Sequence, residues 1–282
     1  MASDKRSAKV SAKELRQQKS MLCDGLSFAA SEAYKLLRTN LRFSLPEDSC
    51  GVLGITSSVR NEGKSTTAVN LSYTIAQTGK RVLLIDADMR LPSTASKLGI
   101  KGTPGLSNLL AQLNTESECI RQSAYYQNWF ILPAGDIPPN PSELLESERM
   151  NALLQHYKDL FDVIIIDLPP IGIVADALAI APWTNGLIVT VRQNYAEKTA
   201  LSATMYQIQK LGTKFLGFVM TDAPIGESSY KHYSKYGKYG KYGYDYGYDS
   251  ANTGKTSRRK NEAFFNAANV SQTNDGENKE SK

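Results

Sequence analysis

No run of eighteen apolar residues occurs anywhere in the 282-residue sequence, so no segment reads as a membrane-spanning helix. The first thirty residues also lack the apolar stretch of a secretory signal, because Lys5, Arg6, Lys9, Lys13, Arg16 and Lys19 interrupt them, and a soluble, intracellular protein is expected. Cysteine is scarce: Cys23, Cys50 and Cys119 are widely separated and lack the paired spacing of a zinc site, which leaves reduced structural thiols. His156 and His232 are equally isolated, and neither is assigned a catalytic role. The net charge of +5 is modest and its basic residues sit mainly towards the ends, so no motif supports nucleic acid as a partner. The basic N-terminal stretch would suit an anionic lipid surface only weakly; a solvated, disordered arm over 1–27 is the preferred reading.

What the chain does contain is a set of short apolar runs rich in β-branched residues. They are Val52–Thr56, Val82–Asp86, Trp129–Leu132, Val163–Asp167, Leu187–Val191 and Phe215–Val219. Continuous runs of this kind indicate strands buried on both faces. Helical patterns are expected over Ser31–Phe43, with Ser31 as cap, and then over Lys64–Thr78, Ser142–Leu160, Asp176–Ala181 and Glu197–Leu211. Strands alternating with helices predict an α/β fold, a mostly parallel twisted sheet flanked by helices, with ligands beyond the carboxyl ends of the strands. One domain over 28–225 is expected, followed by a disordered tail over 226–282 that is too poor in apolar residues to offset the entropy of ordering.

Three elements carry chemistry. The first is Ser58-Val-Arg-Asn-Glu-Gly-Lys-Ser65, a phosphate-binding loop placed between an apolar strand and a helix. Its backbone N–H groups would wrap phosphates, Lys64 would reach the outer ones and the Ser65 hydroxyl would ligate magnesium. Ser58, Asn61, Glu62, Gly63, Lys64, Ser65 and Thr66 are the candidate nucleotide contacts, with Ser58 standing where a strict motif has glycine. The second is Asp86-Ala-Asp88-Met-Arg90 at the end of a strand, where alternation would turn Asp86 and Asp88 to one side. The third is Asp167-Leu-Pro-Pro170, again closing an apolar strand. Lys64, Asp86 and Asp88 are the catalytic candidates, and Ser65, Asp88 and Asp167 the candidate holders of Mg2+ beside ATP.

Far downstream, Tyr230, Tyr233, Tyr236, Tyr239, Tyr242, Tyr244, Tyr246 and Tyr248 place eight of the fifteen tyrosines within nineteen residues. An ATP site and a dense row of phenols on one chain suggest a kinase that carries its own substrate. A sticky low-complexity tract without enzymology is the plainer reading of the same residues.

The motif from Asp86 to Pro92 resembles the second Walker motif of the bacterial tyrosine kinases that control capsule and exopolysaccharide synthesis. Asp167-Leu-Pro-Pro170 is similar to their Walker B, and the stretch Gly135 to Leu145 to another segment typical of them. The resemblance covers roughly 28–222 and ends in the kind of tyrosine cluster that the family carries. It implies ATP-dependent autophosphorylation of the cluster in trans, with Asp86 accepting or steering the tyrosine proton. Glu32, Lys35 and Arg38 resemble the family's Glu-x-x-Arg-x-x-Arg oligomerisation motif, and the spacing of three sets them along one helical face. The implied partners are other copies in a homo-oligomeric ring, a membrane-spanning adaptor and protein substrates of the polysaccharide pathway. The implied location is the inner face of the cell membrane, reached through that adaptor. In one departure, Thr221-Asp222 stands where relatives often have an asparagine-lysine pair near the base.

The alternative is a deviant-Walker ATPase that partitions DNA or places the division site, its tail binding a partner or membrane. Those proteins carry a signature lysine where this chain has Val59, with Arg60 beside it. A nucleotide-dependent scaffold is a third reading.

Overall fold

The computed structural model describes residue 22 and residues 25–46 and 49–223. The expected arm lies mostly outside the described residues, and the tail with Tyr230 to Tyr248 lies entirely outside them. Leu22 is nevertheless buried, so packing begins upstream of residue 28.

The described residues form a seven-stranded sheet in the order β3-β4-β2-β5-β1-β6-β7. In chain order the strands are β1 (Gly51–Ser57), β2 (Val82–Asp86), β3 (Arg121–Gln122), β4 (Trp129–Leu132), β5 (Val163–Asp167), β6 (Gly186–Arg192) and β7 (Phe215–Thr221). The short β3 runs antiparallel to β4, and the other neighbours are parallel. The central strands β1, β2 and β5 are buried along their whole length, as their unbroken apolar runs require.

Alternate residues feed two cores, one on each face. Leu53, Ile55, Val82, Leu84, Val163 and Ile165 pack with Ala68, Leu71 and Ile75 of helix α2 (Lys64–Ala76). Val52, Leu83, Ile85, Ile164 and Ile166 pack on the other side with Met150, Leu154 and Tyr157 of helix α7 (Glu148–Leu160) and Ile208 of helix α9 (Lys198–Leu211). Helix α1 (Phe28–Arg42) lies on α2, while α3 (Thr94–Leu98), α4 (Leu106–Leu110), α5 (Glu116–Cys119), α6 (Pro141–Glu146) and α8 (Asp176–Ile180) are single-turn pieces in the crossovers.

Two helical expectations need correction. The first helix starts at Phe28, not Ser31, because Ser27 accepts the capping bond from the Ala30 N–H at 3.3 Å. The single helix expected over Ser142–Leu160 is two, α6 and α7. Ser147 takes an extended conformation between them and caps α7 by accepting from the Met150 N–H at 3.3 Å, so the serine's capping chemistry overrides a continuous apolar period.

Candidate active site

The phosphate-binding loop joins β1 to α2. Positive φ at Asn61 (62°) and Gly63 (86°) curls the backbone either side of Glu62, the type of turn in which successive N–H groups converge on an anion. Gly63 has a second reason to be glycine, since a Cβ there would stand 3.0 Å from the Thr221 methyl. The Glu62 side chain is wholly buried and accepts from the Val59 N–H at 2.9 Å, while its carbonyl accepts from the Thr221 hydroxyl at 2.9 Å. Glu62 therefore braces the loop from within. Ser58, also buried, presses its carbonyl against Gly172, where a Cβ would come within 2.4 Å.

The loop sits beside a buried electrostatic cluster. Parallel pairing sets Asp86 of β2 directly across from Asp167 of β5. The Lys64 ammonium lies 2.7 Å from Asp88 Oδ2, 3.4 Å from Asp167 Oδ1 and 3.3 Å from Ser65 Oγ. Strand β2 ends at Asp86, so Asp88 belongs to the following loop, and strand alternation is not what brings the two aspartates together. Instead the Asp88 N–H donates to Asp86 Oδ1 at 3.2 Å, and the Leu91 N–H donates to Asp88 Oδ1 at 3.1 Å.

Thr94, absent from the sequence-based set, ties the pieces together. Its N–H donates to Asp86 Oδ2 at 3.1 Å and its hydroxyl to Asp167 Oδ2 at 3.3 Å. It lies in a five-residue helix with no apolar period to mark it, and only the turn-forming Pro92-Ser93 before it was visible as a signal.

Three carboxylates face one ammonium here. Burial, then the neighbouring Asp167 charge, pushes Asp86 up to about 7, against which Lys64 and the Thr94 N–H work. Burial likewise raises Asp167 despite Lys64 and Ser65. Burial acts to lower the Lys64 pKa, but attraction from Asp167 and Asp88 outweighs it and leaves it raised. An excess of buried negative charge among hard oxygen donors suits a divalent cation with oxygen preference. Among the described residues no three His, Cys, Asp or Glu side chains converge into a ready-made metal cage. The donor set thus fits Mg2+ that keeps waters and phosphate oxygens, the usual habit of that ion.

Beyond the cluster, Arg90 forms a bidentate pair with the buried Asp176 at 2.8 and 3.0 Å, and Ser142 donates to the same carboxylate at 2.6 Å. These bonds pin the loop after β2 to α6 and α8. On the opposite side, at the ends of β6 and β7, Arg192 pairs with Asp222 at 2.9 Å and lies over the Tyr195 ring at 5.3 Å. Of the assembly candidates, Lys35 pairs with Glu32 at 2.7 Å on the surface of α1. Arg38 turns away from them and donates to the Thr74 carbonyl of α2 at 2.8 Å, so the three charges do not act as one exposed row.

Residues 60–216 match the family profile described as AAA domain. The tyrosine-protein kinase YwqD of Bacillus subtilis is 35% identical over 204 residues, covering 72% of this chain and 86% of that protein. The chain belongs to the bacterial tyrosine-protein kinase family. Among solved structures, that of the chimerical protein CapA2B2 superposes with a TM-score of 0.66 at 32% identity, covering 69% of this chain and 85% of its own. The septum site-determining protein MinD of Pyrococcus horikoshii, complexed with Mg-ADP, reaches a TM-score of 0.52 at 23% identity over 63% of this chain and 72% of its own, which shows a shared fold alone. The tyrosine-kinase reading is thus favoured over the positioning ATPase.

Proposed function

We propose that this bacterial tyrosine kinase transfers the γ-phosphoryl group of Mg-ATP to tyrosine hydroxyls, chiefly Tyr230 to Tyr248 of a neighbouring copy, and so regulates capsule or exopolysaccharide synthesis. The observation that carries the reading is the buried convergence of Lys64 with Asp88 and Asp167, beside Asp86, at the mouth of the curled loop. Asn61, Gly63, Ser65 and Thr66 bind phosphate through the loop and the start of α2. Ser65, Asp88 and Asp167 hold Mg2+, which when bound spreads and neutralises charge on the phosphates.

When ATP arrives, Lys64 exchanges its carboxylate partners for phosphate oxygens and stabilises charge on the group in transfer. Asp86, poised near neutrality, accepts the phenolic proton as the oxygen attacks phosphorus and the bond to ADP breaks. A tethered tail supplies tyrosine at high effective concentration, so tight substrate binding is unnecessary. Other copies gathered around Glu32 and Lys35, a membrane-spanning adaptor and further protein substrates complete the assembly. The adaptor would bring the protein to the membrane, since no described helix is long and apolar enough to cross one.

Phosphosite mapping by mass spectrometry tests this, using full-length protein with Mg-ATP and membrane extract. Phosphate on Tyr230 to Tyr248 that falls on the order of 100- to 1000-fold in Lys64→Met supports the proposal. ATP hydrolysis with an unmodified tail would contradict it.

A further inference from the structure

The two sides of the catalytic face differ in character. The loop between β1 and α2 stands in the middle of the strand order. Arg192, Tyr195 and Asp222 lie towards β6 and β7, whereas Asp86, Asp88 and Lys64 gather towards β5 and β2. On the proposed mechanism the phosphoryl group in transfer lies beside Asp86, Asp88 and Lys64, so a tyrosine would approach from the β2 side.

Three large apolar side chains are exposed on that side: Leu91 (52%), Ile137 (67%) and Ile173 (46%). They stand in the loops that follow β2, β4 and β5, which are neighbouring strands. Each loop is held to the site. The Leu91 N–H is bonded to Asp88, Gly172 abuts the phosphate-binding loop, and Ser142 of α6, five residues after Ile137, is bonded to Asp176 and Arg90.

The same rim is acidic. Between Gly135 and Ser147 the chain carries Asp136, Glu143 and Glu146 and no lysine or arginine, and Glu148 beyond them is followed by Arg149. Glu146 falls four residues after Ser142, one turn along α6 from the serine bonded to Arg90. Arg90 does not offset this charge, because Asp176 neutralises it.

The tyrosine-rich segment is divided in the complementary way. From 230 to 243 it carries Lys231, Lys235, Lys238 and Lys241 and no acid, so Tyr236, Tyr239 and Tyr242 each follow a lysine. From 244 on, Asp245 and Asp249 flank Tyr244, Tyr246 and Tyr248.

We infer that the rim of Leu91, Ile137, Ile173, Glu143 and Glu146 is a docking surface for the lysine-flanked tyrosines of a neighbouring copy, and that it sets the order in which the cluster is modified. The apolar side chains take the tyrosine ring and the carboxylates take the adjoining lysines. The inference rests on the tyrosine-kinase reading. It also extends to other substrates, which would carry a lysine beside the acceptor tyrosine.

A time course of autophosphorylation in the full-length protein, resolved by site, tests it. The expected result is that Tyr236, Tyr239 and Tyr242 gain phosphate roughly 5- to 10-fold faster than Tyr246 and Tyr248, the factor that two or three exposed ion pairs supply. Glu143→Lys with Glu146→Lys should erase that order with ATP affinity unchanged, and Ile137→Ser should slow all sites while keeping the order. Uniform rates in the unaltered protein, or an order that survives the charge reversal, would overturn the docking surface and leave the kinase intact. An unmodified tail in a protein that hydrolyses ATP would overturn the kinase reading itself.

Discussion

Asp86 is where residue-scale chemistry is sharpest. Its carboxyl is fully buried, and its pKa near 7 lies well above the ordinary 3.8. A folded-state pKa above the unfolded one means that the folded protein holds a proton that the unfolded chain releases. The stability from this group is full below about pH 4 and is lost as pH rises towards 7. Asp86→Asn should therefore flatten the fall in melting temperature across that window in nucleotide-free protein; parallel curves for the two proteins would contradict the assignment. Asp86→Asn should cost roughly 100-fold or more of the phosphotransfer rate while Mg-ATP still binds, measured by autophosphorylation beside nucleotide titration; an unchanged rate would contradict the proton-accepting role. The sequence displayed the three aspartates because each follows an apolar strand. It hid Thr94, which reaches Asp86 and Asp167 only after the chain doubles back from β2.

At the scale of elements, the site depends on how two loops seat against each other. The Ile171 N–H donates to the Ser57 carbonyl at 2.9 Å, and Thr56 donates to the Pro169 carbonyl at 2.7 Å, so the turn after β5 is fastened to the strand that launches the phosphate-binding loop. Gly172→Ala would drive a methyl into the Ser58 carbonyl, 2.4 Å away and part of the backbone. The expected cost is about 1–3 kcal/mol, with a weakened ATP affinity, measured by denaturant melts and nucleotide titration. An unaltered affinity would mean that the contact does not shape the loop. Removing the α7 cap by Ser147→Ala should cost about 1 kcal/mol and leave ATP binding untouched, since it lies away from the phosphates; a changed ATP affinity in calorimetry would show that α7 shapes the site.

The central strands were legible because burial on both faces demands unbroken apolar runs, and β2, β4 and β5 have the bounds their sequences suggest. Of the short crossover helices, α8 matches the helix expected over Asp176–Ala181 to within a residue, whereas α3, α4 and α5 left no sign, because a single turn is too brief to establish a period. The break between α6 and α7 was masked because no glycine or proline interrupts the chain between Ser142 and Leu160 to mark where one helix ends and the next begins.

For the whole molecule, charge would link the proposed phosphotransfer to the proposed assembly. Eight phosphates at about −1.5 to −2 each would carry the net charge from +5 to roughly −7 to −11. Tails so modified would be repelled by an acidic rim and by one another, and the proposed ring should loosen. Sedimentation should show the phosphorylated protein in smaller species than the dephosphorylated one; equal sizes would rule out this coupling.

Transfer from one copy's site to another copy's tyrosines can be read in a mixing experiment. Lys64→Met protein with an intact tail is combined, in Mg-ATP and membrane extract, with a copy whose eight tail tyrosines are phenylalanine. Phosphotyrosine on the Lys64→Met tail, absent when either protein is incubated alone, is the predicted result. ATP hydrolysis by the mixture with no phosphotyrosine on that tail would rule out transfer between copies.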